Sequence, residues 1–183
     1  FNEVRQASSD IWNQALGQIA VKGNNEKEKV KFYSALYNAH FLPRTFSDVD
    51  GSYPRFDGDG QIMKMDHGTY YCDFSQWDTY RAVHPLFSIL TPSRNGDMAH
   101  SLVLKGQQGG WLPIFPSWNS YTAAMIGDHC IAMIGDAIVK DTPGFDYEEA
   151  YTLMRKNAFE ANPDSASYRD GKGLSLIHIS EPT

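Results

Sequence analysis

The chain has 183 residues, 42% of them hydrophobic and 21% charged, enough for one domain with a real core and too apolar for a disordered segment. Its net charge of −6 argues against nucleic acid as the main partner, because phosphate binding wants a basic surface. No apolar run approaches the roughly 20 residues that a membrane-crossing helix needs, and Cys72 and Cys130 imply no disulfide framework and leave their pairing open.

In chain order, Val4 to Val21 carries a helical stripe of Ile11, Ala15, Leu16, Ile19 and Ala20. Lys22 to Lys29 is a polar hinge with Gly23 as a helix stop. A second helix is predicted over Glu26 to Phe41, with Val30, Tyr33, Leu36, Tyr37 and His40 as its stripe, acidic residues at its start and Pro43 at its end. From Pro43 to Gly68 the periodicity vanishes into Asp, Gly and Pro, and a loop with several turns is expected. Thr69 to Phe74 reads as a short strand or an extended entry to the next helix.

Gln76 to Leu90 is predicted helical and closed by Thr91 and Pro92. Ser93 is the expected N-cap of a helix running to about Gln108 that buries Met98, Leu102 and Val103. Gly109 to Tyr121, "GGWLPIFPSWNSY", is a ring-rich loop. Helices are then predicted over Asn119 to Val139 and Asp146 to Asn162, the latter with Tyr151, Met154 and Ala158 facing inward and Pro163 ending it. Helices alternating with long ornate loops fit an all-α fold of paired helices around an axis, with one set of loops building a site.

Both ends are read as cut. Residue 1 is Phe, and the chain is expected to begin inside something longer. "LSLIHISEPT", Leu174 to Thr183, matches the translation of a sequencing-library adapter and is set aside from the fold as read-through. His178 then carries no function. The competing reading is a native strand, since LSLIHIS alternates apolar and polar residues.

Chemistry-bearing motifs are sparse. Asp48, Asp50, Asp57 and Asp59 superficially suggest a calcium loop, but they lack the Gly at the sixth position and the Glu at the twelfth; Asx turns explain them more simply. No Gly-rich phosphate fingerprint and no G-x-S-x-G elbow occurs. His40, His67, His84, His100 and His129 have no HExxH or C-x-x-C context, so a zinc motif is not expected. What remains is carboxylates beside aromatics, which make up 13% of the chain.

"SQWDTYRAVHPL", Ser75 to Leu86, is the densest such stretch. On one helix Trp77, Arg81 and His84 would recur at i, i+4 and i+7, with Asp78 and Arg81 as an i, i+3 pair. Trp111 after Gly109 and Gly110, and Asp128 beside His129, form two further clusters. Carboxylates accept hydrogen bonds from sugar hydroxyls, Arg donates back, and an indole face packs on the C–H face of a hexose. The plain competing reading is a surface Asp78–Arg81 ion pair, which stabilises little. The MIGD doublet puts Asp128 and Asp136 about two turns apart, one facing a site and the other capping or solvated.

"FSDVDGSYPRFDG", "FSQWDTYRAVHPLFSIL" and "GGWLPIFPSWNSYTAAMIGDH" occur together in the order and spacing of one family. Over Ser8 to about Ala161 the chain resembles glycoside hydrolase family 92, the bacterial exo-acting α-mannosidases. The resemblance implies a β-sandwich followed by an (α/α)6 barrel, with residues 1–173 forming the opening part of that barrel. It implies removal of terminal α-mannose from glycans with inversion, helped by a calcium ion. By match to the family's strings, Trp77, Asp78 and Arg81 look like the terminal-mannose subsite and Asp128 a second contributor, with His129, Trp111 and Pro113 close by. The family's catalytic Glu and Asp and most of its calcium ligands lie in later motifs that this chain does not contain. The chain alone is therefore expected to be inactive, with no catalytic pair of its own. The resemblance also implies a periplasmic or cell-surface enzyme. Two rivals stand beside it: a trehalase-like (α/α)-barrel glucosidase, and a non-catalytic carbohydrate-binding or scaffold module.

Overall fold

The computed structural model describes residues 1–58, 60–122 and 124–160. The chain divides into two compact units, one spanning Phe1–Phe41 and the other beginning at Leu42. The predicted reading of Leu174 to Thr183 lies outside the described residues, as does Asp59.

The first unit is a helix pair, α1 (Asn2–Leu16) and α2 (Glu26–Ala39). The Asn25 side chain accepts hydrogen bonds from the backbone N–H groups of Lys27 and Glu28, which satisfies two donors that open α2. Glu26 and Glu28 sit in the first turn, where the helix dipole favours them. The interior here is thin. No residue of α1 is buried, and Ile11, predicted to face inward, is 66% exposed. Rings join the pair instead: Trp12 lies 4.4 Å from Tyr37 and 6.1 Å from His40, centroid to centroid. The Tyr33 hydroxyl donates to Ile19 O and accepts from Val21 N–H, pinning the link between the helices.

The second unit begins with a cis Leu42–Pro43 bond. The predicted loop from Pro43 to Gly68 carries short strands. β1 (Arg44–Thr45) pairs antiparallel with β4 (Tyr71–Cys72), and β2 (Ser52–Pro54) with β3 (Ile62–Lys64). Runs of two or three residues give no readable alternation, so only β4 was foreshadowed. The buried rings of Tyr53 and Tyr70 stack at 3.9 Å behind them.

The Gln76–Leu90 helix is broken in two: α3 (Gln76–Thr79) and α4 (Val83–Leu90). Pro85 supplies the reason. In a continuous helix it would lose its bond to the Arg81 carbonyl and clash with it. Restarting at Val83 puts Pro85 in a first turn, where no N–H is needed. α5 (Pro92–Gly109) starts two residues before the predicted Ser93 cap boundary requires, with Thr91 at the N-cap and Pro92 in the first turn. The Asn119–Val139 helix shrinks to α6 (His129–Val139), since Trp118, Asn119, Met125 and Gly127 all take positive φ. α7 (Tyr147–Phe159) is N-capped by the Asp146 carboxylate, which accepts from Glu148 and Glu149 N–H. Its inward face is one position off the prediction: Ala150, Leu153 and Asn157 are buried, while Tyr151 and Ala158 are exposed and Met154 only packs against the core.

The core centres on α5, whose Met98, Ala99, Leu102 and Val103 are buried against α4, α6, α7 and β4. Phe74, Phe87, Leu112, Met133, Ile134 and Leu153 complete it. α5 comes so close to the turn after α6 that a Cβ on Gly96 would lie 1.7 Å from Pro143 O. Lys105 is wholly buried in this core. Its ammonium donates to Tyr71 O at 2.8 Å and sits 3.6 Å above the Tyr70 ring, while burial pushes its pKa down to about 7. Cys72 and Cys130 are both buried and both free thiols, so the pairing question is answered as unpaired.

Candidate functional site

The entry to α3 is stitched to the ring-rich loop. Phe74 N–H donates to Pro116 O (3.1 Å), Asn119 N–H to Cys72 Sγ (3.2 Å) and Trp118 N–H to Asp73 Oδ1 (3.0 Å). Further along that loop, Trp111 N–H donates to the Tyr121 hydroxyl (3.1 Å), which donates back to Trp111 O (2.5 Å). Leu112 is held at both backbone groups by Asn157, whose amide accepts from its N–H and donates to its C=O (3.1 and 3.0 Å). Two surface loops are thus anchored to buried helices, which fixes the start of α3 within the fold.

On this base α3 turns its residues in two directions. Gln76 is fully buried, next to the Cys130 thiol, whose pKa burial pushes well up. Trp77 is 41% exposed, and Asp78 and Arg81 are exposed. Asp78 Oδ2 accepts a short hydrogen bond from the Ser75 hydroxyl. Arg81 Nε donates to the Tyr80 hydroxyl at 2.8 Å. The Asp78–Arg81 ion pair that the i, i+3 spacing allows is not among the ion pairs of the described residues. Both charges are therefore turned to other partners rather than to each other.

His84 leaves this face. The break before α4 rotates it inward, where it is 1% exposed, lies 3.3 Å from Asn95 Oδ1 through Nδ1, and packs between Phe74 and Phe87. The four-residue face expected from helical spacing is a three-residue face, and the imidazole belongs to the core.

A different imidazole takes its place. α3 packs against α6, and the His129 ring stacks on Tyr80 at 4.4 Å and 14°. Gly127 makes room: at φ +92, a Cβ there would lie 2.5 Å from His129 Nε2. Asp128 occupies the N-cap position of α6 without capping it, and its carboxylate oxygens are shielded from solvent. Trp77, Asp78 and Arg81 are thereby joined through Tyr80 to Asp128 and His129. Asp136, the second acid of the doublet, is spent on an ion pair with Lys140 at 2.8 Å.

Trp111 stands elsewhere. It is 9% exposed in a cluster with Phe56 and Tyr121, and Lys156 Nζ covers its ring at 4.6 Å. Pro113 is buried as well. A cavity of about 300 Å³ does open beside the loop, lined by Arg55, Asp57, Trp118 and Asn119 among others, and by none of the six residues named from the sequence. Tyr80 and Ser75 were missed as site residues. Tyr80 carried a signal, standing inside the W-D-T-Y-R string, but its stacking partner lies 49 positions later.

The described loop acids Asp50 and Asp57 are bonded to separate partners. Asp50 accepts from both the N–H and the hydroxyl of Ser52, which is an Asx turn, and Asp57 accepts from the Ser120 hydroxyl at 3.0 Å. Asp50 thus serves a local turn, and Asp57 reaches a residue 63 positions further on.

Residues 1–178 match the model of the glycosyl hydrolase family 92 catalytic domain. The chain belongs to glycoside hydrolase family 92. The resemblance read from three sequence strings is borne out. Among solved structures, a family 92 α-mannosidase from Bacteroides thetaiotaomicron is 37% identical with a TM-score of 0.83, over 91% of this chain and 22% of that one. The same enzyme in complex with mannoimidazole aligns at 36% identity and a TM-score of 0.82. A family 92 inverting mannosidase from Bacteroides thetaiotaomicron VPI-5482 is 26% identical with a TM-score of 0.83, over 97% of this chain and 23% of that one. The family 92 chain thus spans about a fifth of the length of these structures. No curated protein matches it. The helix-rich fold, with its few short strands, is that of the corresponding part of these glycosidases.

Proposed function

We propose that this chain forms part of an exo-acting glycosidase that removes terminal α-linked mannose from glycans with inversion, and that its α3–α6 junction is one wall of the mannose subsite. The observation that carries the proposal is the Tyr80–His129 stack, which joins the W-D-T-Y-R string to the G-D-H string in one patch. Trp77 offers an indole face, Asp78 offers acceptors for vicinal hydroxyls and Arg81 offers a donor fork, while Asp128, its oxygens closed to solvent, backs the patch. His129 is held by its stack where it borders the sugar. Trp111, buried under Lys156, supports the loop from behind.

Inversion needs a carboxylic acid and a carboxylate on opposite sides of the scissile bond, with room for water between them. Family 92 places that pair beyond the motifs present here, so this chain binds and orients the sugar and leaves proton transfer to residues elsewhere in the barrel. The described helices are read as the opening part of an (α/α)6 toroid. Calcium is proposed for the whole enzyme, with most of its ligands outside this chain. A periplasmic or cell-surface location is proposed on family habit alone.

The test uses an enzyme carrying these residues within a complete barrel. It should release free mannose from an α-mannoside. Asp78→Asn should lower kcat/KM about 10- to 100-fold, the range for one charge-assisted hydrogen bond to substrate. The 183-residue chain alone should release none. Cleavage of trehalose without cleavage of mannosides would hand the assignment to the trehalase-like reading. An unchanged kcat/KM in Asp78→Asn would reduce the α3 face to packing.

A further inference from the structure

A second constellation shares no residue with the sugar-facing patch. The turn after β3 carries Asp66 and His67, and α5 carries His100. One ligand-type atom from each lies within 4.8 Å of the others, the only such grouping of His, Cys, Asp or Glu among the described residues. The two imidazoles stack at 4.7 Å and 18°.

His67 has a proton-counting problem. Its Nε2 lies 3.1 Å from Gly144 O, which can only accept, so Nε2 must hold the proton. Nδ1 then lies 3.0 Å from Asp66 Oδ1 with only a lone pair to offer, acceptor against acceptor. A positive charge is required there, either a second proton or a metal ion. In the metal-free chain the second proton answers it; a metal would replace that proton and draw on His100 as well, whose Nδ1 is closed to solvent and has no hydrogen-bond partner among the described residues. A shared metal uses lone pairs from both rings. It also explains the Gly144 contact, since metal-bound histidines habitually donate their other N–H to a carbonyl.

We propose that Asp66, His67 and His100 bind one divalent transition-metal ion of the zinc class, with solvent completing the shell. Two imidazoles and a carboxylate suit zinc, cobalt or nickel, and disfavour calcium and magnesium, which want oxygen throughout. Bonds of about 2.0–2.2 Å require ligand atoms closer than 4.8 Å, so the exposed Asp66 and His67 must draw in by about 1 Å. Asp66 is on the surface and can turn, while His67 closes by a small tilt that keeps its Gly144 contact. Asp97, tied to Thr69 N–H at 3.1 Å, adds negative charge beside both rings. The sequence hid this site because its ligands stand 33 positions apart, with no short motif to mark them.

The test is metal titration of the untagged 183-residue chain after treatment with a chelator. Zn²⁺ should bind at one ion per chain by calorimetry, and Co²⁺ should give the visible d–d bands of a low-coordinate nitrogen–oxygen site. His67→Ala and Asp66→Ala, both exposed positions that leave the helical circular dichroism intact, should each weaken Zn²⁺ binding at least about tenfold. Excess Ca²⁺ should not compete. No Zn²⁺ binding, binding indifferent to His67→Ala, or equal displacement by Ca²⁺ would each overturn the proposal. Asp78→Asn should leave the metal titration untouched, so failure here and failure of the mannose assignment are separate results.

Discussion

At the scale of single residues, His84 shows how position changes meaning. Sequence spacing placed it with Trp77, Asp78 and Arg81. The fold buries it, and burial holds its pKa down at about 4, with the Asn95 contact opposing only in part. Its folded pKa lies below the 6.5 of an unfolded histidine, so the unfolded chain takes up the proton first as pH falls. Its contribution is intact above pH 6.5 and is lost between there and pH 4. Stability in urea should therefore drop by about 2–3 kcal/mol between pH 7 and pH 4.5 from this group alone. His84→Gln, which cannot ionise, should flatten that part of the profile. An equal slope in the variant would locate the acid sensitivity elsewhere.

Elements were legible where caps and periodicity agreed. The starts of α2 and α7 fall within a residue of the prediction because Asn25 and Asp146 are true side-chain caps followed by acids. The inward set of α5 was readable because Met98, Leu102 and Val103 follow one stripe. The breaks were not, because they depend on a single proline and on several positive φ values that tertiary hydrogen bonds impose. The W-D-T-Y-R stretch was legible as a string, but its union with His129 rests on a contact between rings that no spacing announces. α5 also carries a demand invisible in its letters. Gly96→Ala would drive a methyl group into Pro143 O, a rigid backbone atom, and should cost about 1–3 kcal/mol or more. Thermal unfolding checks it. A variant as stable as the parent would mean that the turn after α6 yields freely.

On the scale of the whole molecule, the two units are built to different standards. The unit from Leu42 onward has a continuous interior around α5. The Phe1–Phe41 unit buries only Leu36 along its two helices and leaves Val4, Ile11 and Val30 more than 60% exposed. Opening free energies track buried apolar contact. Amide hydrogen exchange of the chain should thus show α1 and α2 exchanging orders of magnitude faster than the middle of α5. Equal protection would mean that the helix pair finds cover which the described contacts do not provide.

The bracket between Asn157 and Leu112 has a consequence for assembly. One amide does for Leu112 what a neighbouring strand would do, yet it arrives 45 positions later. A ribosome therefore releases the tryptophan loop long before the group that locks it, and the stretch can be only provisional until α7 docks. The α3 entry leans on that stretch through Phe74 and Pro116, so the last described helix decides when the start of α3 becomes rigid.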